Sequence, residues 1–229
     1  MGLNAVKILE ISVTNNSKKE ILEEIQKYLD QSTKKTLEPL KIYTPNSEQL
    51  VLAQKNSQFA DVLNRADITI PDSHGVVWAG SILTKNGPKN VIPGVEFMED
   101  LVRIARDRHV PIRLIGGKGK IAVDTLECLQ QKYPGLETSE HPRIIFVALG
   151  APKQEQYIDE AAKKSTGVIY MAVGGSFDII AGKLPRAPLL LQKIGLEWFW
   201  RLILQPWRIF RQLALIEFVW MVLKEKLAS

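Results

Sequence analysis

The sequence predicts an α/β protein with a mostly parallel sheet, helices on both faces and a helical appendage at the C-terminus. Short apolar runs alternate with segments whose apolar residues recur at helical spacing, an order typical of parallel strands joined by helices. The 229 residues are 45% hydrophobic and 24% charged, which is ordinary for a globular protein and excludes a disordered or collagen-like chain. We therefore expect a Rossmann-like layered architecture.

The individual elements follow from periodicity and from local start signals. Ser17, with Glu20 three residues later, marks a helix start, and Pro45 directly precedes another helix. A short apolar run at residues 7–13 opens the chain. Strands are expected at residues 40–43, 67–70, 111–115, 143–149 and 168–173. Helices are expected at residues 17–29, 46–53, 73–83, 94–106, 118–129, 153–162 and 176–181.

The positive charge is confined to the C-terminal fifth of the chain. The net charge is +5, and residues 183–229 hold eight Lys or Arg against three Asp or Glu, so the rest of the chain is neutral. Four of the five tryptophans lie in the same segment. We therefore divide the chain into an α/β body at residues 1–190 and a basic, Trp-rich appendage at residues 191–229.

The appendage contains an apolar segment at residues 213–223, interrupted only by Glu217. As a helix these residues span roughly 16 Å, about half the hydrocarbon core of a bilayer, so they cannot cross a membrane alone. They suit a surface anchor, a buried helix or a contact in a homo-oligomer. Interleaved Trp and Arg at residues 198–211 favour peripheral membrane binding, because indole rings suit the headgroup layer. Nucleic acid is disfavoured, since bulky aliphatics dilute the basic residues.

Several classes of site are disfavoured by the sequence. Cys128 is the single cysteine, which excludes an internal disulfide framework and fits a reducing, cytoplasmic compartment. Residues 1–13 lack the apolar core and cleavage site of a signal peptide. No cluster of His, Cys, Asp and Glu has metal-ligand spacing, and there is no Asp-x-Asp pair. We expect neither a metal nor a cofactor.

The predicted strands end in polar, glycine-rich loops. Ligands of parallel α/β folds bind at the carboxyl ends of the strands, so these loops are the candidate site. They are Thr44-Pro45-Asn46, Pro71-Asp72-Ser73, Gly116-Gly117, Gly150-Ala151-Pro152-Lys153-Gln154 and Gly174-Gly175-Ser176.

Each candidate residue also has a structural interpretation. Asp72 is either a helix N-cap or a general base, and Thr44 and Asn46 either cap helices or bind a ligand. Gln154 stands in the first turn of a predicted helix. The segment at residues 117–122 fits the dinucleotide pattern G-x-G-x-x-A, but the acidic residue expected after the next strand is absent. A tight turn is favoured there, with a phosphate or sugar contact as the alternative.

Seven motifs in the chain occur in one specific order. They are Tyr43-Thr44-Pro45-Asn46-Ser47-Glu48, Ile70-Pro71-Asp72-Ser73-His74-Gly75, Ile92-Pro93-Gly94, Phe146-Val147-Ala148-Leu149-Gly150-Ala151-Pro152-Lys153-Gln154-Glu155, Val173-Gly174-Gly175-Ser176-Phe177-Asp178, Arg186-Ala187-Pro188 and Gly195-Leu196-Glu197-Trp198. From about residue 8 to the C-terminus, this series resembles the WecG/TagA/CpsF group of bacterial glycosyltransferases.

The resemblance implies a specific reaction. Members of the group move a sugar from a UDP-sugar to a lipid-diphosphate-linked sugar at the inner face of the cytoplasmic membrane. The best-known case adds N-acetylmannosamine to N-acetylglucosaminyl-diphospho-undecaprenol in teichoic acid synthesis, and relatives use N-acetylmannosaminuronic acid or hexoses. The group is inverting and metal-independent. A non-catalytic, membrane-docked scaffold or oligomer subunit is the alternative from another class.

The resemblance also implies roles for individual residues. Asp72 is then the base, Thr44 lies in the pocket, and Gln154 contacts the donor. Arginines of the appendage close over the site and hold the diphosphate in place of a metal. The positions of that type are Arg201, Arg208 and Arg211, and the remaining substrate-binding candidates are Asn46, Gly116, Gly150, Lys153, Gly174 and Gly175.

Two features depart from the group. Asn90 stands where many members have Arg, and Lys89 beside it offers a replacement cation. The connection at residues 134–142 is short, where members usually have a further strand, an aromatic turn and a helix. We therefore expect a sheet that is one strand smaller. In the appendage, Arg208 and Arg211 are three apart and would share a helix face, which Arg201 would extend if Pro206 only kinks the helix.

Overall fold

The structure, a computed structural model, describes residues 2–31, 37–193 and 195–228. Two short antiparallel strands, β1 (Ala5–Ile8) and β2 (Ile11–Thr14), precede the strands of a five-stranded parallel sheet. The sheet strands are β3 (Leu40–Tyr43), β4 (Ile68–Thr69), β5 (Ile112–Gly116), β6 (Ile144–Ala148) and β7 (Ile169–Ala172), and their spatial order is β4-β3-β7-β6-β5. The predicted α/β class and parallel sheet are confirmed.

Helices cover both faces of this sheet. In chain order the helices are α1 (Lys18–Gln31), α2 (Ser47–Lys55), α3 (Ser57–Asn64), α4 (His74–Leu83), α5 (Gly94–Asp107), α6 (Ile121–Lys132), α7 (Lys153–Ala162), α8 (Ser176–Ile180), α9 (Leu189–Lys193), α10 (Glu197–Leu204) and α11 (Ile209–Ala228). A short 3₁₀ turn, Pro206–Arg208, separates the last two. One face of the sheet packs on α1, α5, α6 and α8, and the other face packs on α2, α3, α4, α7 and α11.

The apolar run at residues 7–13 is a hairpin rather than one strand. Leu9 and Glu10 form its turn with φ of 46° and 61°, a left-handed conformation that the sequence does not signal with Asn or Gly. Side chains from neighbouring helices hold this turn. Gln54 Nε2 donates to the Leu9 carbonyl, and Asn64 Nδ2 donates to the Glu10 carbonyl.

Helix α3 was not expected from the sequence. Asn56 ends α2 and begins α3, because its side-chain oxygen accepts from the backbone N–H of Phe59 at 3.0 Å. The buried side chains Phe59, Val62 and Leu63 lie on one face of this short helix. The helix predicted at residues 46–53 is therefore α2, and α3 follows it as a further helix.

The appendage is packed against the body through α11. Phe218 and Val222 are fully buried in the core on the α2 and α4 side, and Phe218 contacts the ring of Trp78 at a centroid distance of 6.5 Å. Lys55 Nζ also lies 2.6 Å from Glu217 Oε2. One side of α11 is thus part of the hydrophobic core.

Pro206 ends a helix instead of kinking one. Gln205, the residue before it, has φ −135° and ψ 74°, which is not helical, in keeping with the clash of a proline ring with a preceding helical residue. Arg201 in α10 and Arg211 in α11 therefore belong to separate helices, so the condition under which Arg201 would extend one shared arginine face is not met.

The short connection at residues 134–142 adds almost nothing to the sheet. Thr138 pairs with Ile112 through a single parallel bridge, and the N–H of Ile112 donates to the Glu137 carbonyl at 3.0 Å. Within the described residues the sheet therefore ends at β5, and it contains five strands.

Candidate active site

The candidate residues lie on loops that meet at one edge of the sheet. The five strands are parallel, so their carboxyl ends point the same way. Thr44 follows β3, Asp72 follows β4 closely, Gly116 ends β5, Gly150 follows β6 and Gly174 follows β7. The fold thus assembles the polar loops that the sequence singles out.

Asp72, Gly94 and Thr44 form the centre of this edge. Asp72 Oδ1 accepts from the backbone N–H of Gly94 at 2.6 Å, and Gly94 is the first residue of α5. A Cβ on Gly94 would lie 3.4 Å from Thr44 Oγ1 and 3.6 Å from Asp72 Oδ1. The Thr44 hydroxyl donates to the Ala172 carbonyl at 3.2 Å. A carboxylate and a hydroxyl therefore face one helix N-terminus, where negative charge is stabilised.

Asp72 does not cap the helix that follows it. Ser73 is the N-cap of α4, since its Oγ accepts from the N–H of Val76 at 3.3 Å. Asp72 is half-buried, and its carboxyl accepts from the first N–H of α5 instead. The N-cap interpretation of Asp72 within its own loop is therefore wrong.

The pKa of Asp72 is raised from 3.8 to about 7, and burial is the main cause. The hydrogen bond from Gly94 lowers this pKa, as do the positive charges of Arg201 and Arg186, while Glu197 raises it. A carboxyl whose pKa lies near neutrality is well suited to exchange a proton with a hydroxyl at that pH.

Asn46 is the N-cap of α2. Its Oδ1 accepts from the N–H of Gln49 at 3.0 Å, and Gln49 Oε1 accepts from the N–H of Asn46 at 3.0 Å. The two residues thus form a capping box. The capping interpretation of Asn46 is therefore realised in the structure, and substrate binding by its side chain stays a prediction.

The side chain of Gln154 joins the loops after β6 and β7 by hydrogen bonds. Its side chain is buried, and its Oε1 accepts from the N–H of Gly150 at 3.2 Å and of Gly174 at 3.1 Å. Its Nε2 donates to Glu155 Oε1 at 2.8 Å. The amide is thus engaged within the protein, and direct contact between Gln154 and a donor stays a prediction.

Glycine is required at one of these loops in particular. Gly116 has φ of 93°, and a Cβ there would lie 2.5 Å from the Ala148 carbonyl oxygen. A side chain at this position would therefore clash with the neighbouring strand β6, and contact between Gly116 and a substrate stays a prediction. Lys153 begins α7 and Gly175 precedes α8, and both are exposed.

The segment before α11 lies over this edge of the body. His74 Nε2 is 3.2 Å from the Gln192 carbonyl, and a Cβ on Gly195 would lie 3.0 Å from the His74 ring. Arg201 pairs with Glu197 at 3.7 Å, and its charge acts on Asp72. The predicted approach of Arg201 to the site has this electrostatic support. The side chains of Arg208 and Arg211 lie outside the described part of the structure.

Two charged residues near Asp72 were missing from the predicted site. Arg186 forms an ion pair with Glu96 at 2.5 Å and lowers the pKa of Asp72, and Glu197 raises it. Both stand in two of the seven ordered motifs of the sequence, Arg186-Ala187-Pro188 and Gly195-Leu196-Glu197-Trp198. The signal was therefore present, but no spacing rule connects residues so far apart in the chain to a loop at Asp72.

Across residues 2–31, 37–193 and 195–228, no group of three or more His, Cys, Asp or Glu is arranged to hold a metal ion. Among the helices in the described part of the chain, none combines the length and the apolarity needed to cross a membrane.

The chain is similar in sequence to proteins of one family. The model of the glycosyl transferase WecG/TagA/CpsF family matches residues 6–141 and 138–229. The two matched segments meet in the short connection after α6.

A Bacillus subtilis (strain 168) protein is 31% identical over 204 residues, covering 81% of this chain and 79% of the relative. A Staphylococcus aureus (strain NCTC 8325 / PS 47) protein is 29% identical over 241 residues, covering 96% and 93%. Both relatives are named N-acetylglucosaminyldiphosphoundecaprenol N-acetyl-beta-D-mannosaminyltransferase. Since the family model matches nearly the whole chain, the chain belongs to the WecG/TagA/CpsF family of glycosyl transferases.

Proposed function

We propose that this protein is a UDP-sugar-dependent hexosyltransferase that inverts the anomeric centre and needs no metal. It moves N-acetylmannosamine from a UDP-sugar to a polyprenyl-diphosphate-linked N-acetylglucosamine, a step in cell-wall biogenesis of the teichoic acid type. The names of both relatives support this acceptor and this sugar. The observation that carries the proposal is Asp72, a carboxyl with a pKa of about 7 at the strand edge, facing Thr44 and a helix N-terminus.

Asp72 acts as the general base in this reaction. It takes the proton of the acceptor hydroxyl, and the hydroxyl oxygen forms a bond to the anomeric carbon of the donor. The bond from that carbon to the UDP oxygen breaks on the opposite face, so the configuration inverts and UDP leaves. Burial supports this role, because it raises the pKa of Asp72 towards the operating pH. Thr44 supplies a hydroxyl beside it.

The donor occupies the loops after β3, β5, β6 and β7. Helix N-termini suit a diphosphate, as do backbone N–H groups of these loops other than those of Gly150 and Gly174, which donate to Gln154. We assign donor contacts to Asn46, Gly116, Gly150, Lys153, Gln154, Gly174 and Gly175. Arg201, Arg208 and Arg211 stabilise the charge that develops on the leaving diphosphate, a role that suits the planar, bidentate guanidinium group.

Residues 191–229 dock the enzyme on the inner face of the cytoplasmic membrane and complete the active site of residues 1–190. The described residues of α10 and α11 expose many large apolar side chains, among them Trp198, Ile216, Trp220 and Leu223. Lys224 lies over the Trp220 ring, 5.1 Å from its centroid. Aromatic and basic side chains on one surface suit an anionic headgroup layer, and a lipid-linked acceptor requires such contact.

A panel of UDP-sugars, assayed with a short-chain N-acetylglucosaminyl-diphospholipid, tests the proposed function. We expect turnover with UDP-N-acetylmannosamine. Preference for UDP-N-acetylmannosaminuronic acid or a UDP-hexose instead would replace the donor but keep the enzyme class. A folded protein that turns over none of these donors would instead support a non-catalytic, membrane-docked role.

A further inference from the structure

A buried carboxyl in α7 has no part in the chemistry proposed above. Glu155 is 1% exposed. Its Oε1 accepts from Gln154 Nε2 at 2.8 Å and from Gln49 Nε2 at 3.4 Å. Its Oε2 is buried without a hydrogen-bond partner in the described structure. Burial raises the pKa of this carboxyl. A buried, incompletely satisfied polar group is costly, so its presence calls for an explanation.

The amides that donate to Glu155 reach three of the candidate loops. Gln154 Oε1 accepts from the backbone N–H groups of Gly150 and Gly174, which follow β6 and β7. Gln49 Oε1 accepts from the backbone N–H of Asn46, which follows β3. Glu155 Oε1 therefore lies where hydrogen-bonded chains from three strand ends converge.

An acceptor at this point decides which way the amides face. The two ends of a Gln side chain have nearly the same shape, and only their partners select the orientation. Two backbone N–H groups need the oxygen of Gln154, so its NH₂ end must find an acceptor on the other side. Glu155 Oε1 is that acceptor, and it serves in the ionised and the protonated carboxyl alike. Without it, turning the amide would leave Gly150 and Gly174 without their acceptor.

We propose that Glu155 is a positioning residue that fixes the loops after β6 and β7 for the donor diphosphate by orienting the amide of Gln154. The part of this inference that concerns the donor rests on the proposed function. The part that concerns the loops does not, because it follows from the hydrogen bonds alone.

Three variants of the full-length protein separate positioning from simple stabilisation. Glu155→Leu removes the acceptor, whereas Glu155→Gln keeps an oxygen there. Asp159→Asn is the matched control. Asp159 is equally buried one turn later in α7, but it pairs with Arg65 at 2.9 Å and Lys41 at 3.4 Å. With UDP-N-acetylmannosamine and a soluble acceptor, Glu155→Leu is expected to raise the donor KM about tenfold with a smaller change in kcat. Glu155→Gln is expected to stay within about threefold of wild type, and Asp159→Asn to keep the wild-type KM.

Amide hydrogen exchange at Gly150 and Gly174 gives a readout that needs no activity. Both amides should exchange faster in Glu155→Leu and at the wild-type rate in Glu155→Gln and Asp159→Asn. Wild-type exchange at both glycines in folded Glu155→Leu overturns the proposal, as does an equal rise in donor KM in Asp159→Asn. If the wild-type protein turns over no UDP-sugar, the proposed function fails. Amide hydrogen exchange at Gly150 and Gly174 then still tests whether Glu155 fixes the two loops. If Glu155→Leu does not fold, Glu155→Asp takes its place, because the shorter side chain moves the carboxyl oxygen away from the amide of Gln154. Wild-type exchange at both glycines in Glu155→Asp overturns the proposal.

Discussion

Replacing Asp72 by Asn removes the proposed proton acceptor with almost no change in shape. The Asn oxygen can still accept from the N–H of Gly94, which lies 2.6 Å from Oδ1 in the wild type, so fold and donor binding are expected to persist. An amide cannot take the proton of the acceptor hydroxyl. Turnover is therefore expected to fall by about 10²–10⁴-fold, the usual scale of general base catalysis.

The wild-type pH profile follows from the pKa of the same carboxyl. With a pKa of about 7, Asp72 is protonated in acid and loses its function as a base. The value of kcat/KM for the wild type is therefore expected to rise about tenfold for each pH unit below 7 and to level off above it. Asp72→Asn is expected to lack this rise.

The substitution also has a signature in stability. Raising the pKa from 3.8 to about 7 corresponds to about 4 kcal/mol, since a tenfold change in an equilibrium constant is about 1.4 kcal/mol. The folded protein holds this proton more tightly than the unfolded chain does. The resulting stabilisation is complete below about pH 4 and is lost as the pH rises through about 7. At pH 8, Asp72→Asn is therefore expected to have the larger free energy of unfolding.

Asp67→Asn is the matched control for these measurements. Asp67 is also a carboxyl whose pKa is raised by burial, but it precedes β4, at the opposite edge of the sheet, and its Oδ2 accepts from the N–H of Lys41 at 2.7 Å. Turnover is measured from pH 5.5 to 8.5, and urea unfolding at pH 5 and 8. Near-wild-type turnover of folded Asp72→Asn, or an equal loss in Asp67→Asn, would refute the assignment of the base.

Two further predictions concern the appendage. The double variant Ile216→Ser/Trp220→Ser changes only exposed side chains of α11, so it should keep the thermal midpoint but lose sedimentation with anionic vesicles. Phe218→Ala on the opposite side should instead cost about 3–5 kcal/mol of stability. If arginines replace a metal, activity should survive EDTA, and Arg208→Ala should lower kcat even with a water-soluble acceptor. Loss of activity in EDTA, restored by magnesium, would contradict this, as would an Arg208→Ala effect confined to vesicles.

The strand-end loops could be predicted because their arrangement follows from one rule. Parallel strands place their carboxyl ends at a common edge, so Thr44, Asp72 and Gly174 were expected near one another without knowledge of the strand order. The hairpin at Leu9 and the helix α3 escaped prediction for a different reason. Both are held by side-chain contacts to backbone groups, and short apolar segments carry no signal of such contacts.

The inward-facing part of the site could not be predicted either. Gln154 resembles a ligand contact in sequence, but its burial and its bonds to Gly150 and Gly174 depend on the packing of α7 against β6 and β7. The effect of Arg186 on Asp72 likewise needs the folded chain, since more than a hundred residues separate them. Sequence patterns report which residues share an edge, whereas the direction of each side chain follows from packing.

The charges of α10 allow the pKa of Asp72 to be shifted in either direction. Arg201 lowers this pKa and Glu197 raises it, although the two side chains lie 3.7 Å apart as a pair. Arg201→Ala is therefore expected to shift the acidic limb of the kcat/KM profile to higher pH, and Glu197→Gln to shift it to lower pH. If the ion pair between Arg201 and Glu197 only holds the structure, both variants should change the pH profile in the same way, because each breaks the same contact. The shifts should shrink as salt is added, since both side chains are partly exposed to solvent. If the acidic limbs of the two variants move in the same direction, or do not move, Asp72 is not the group whose ionisation controls kcat/KM.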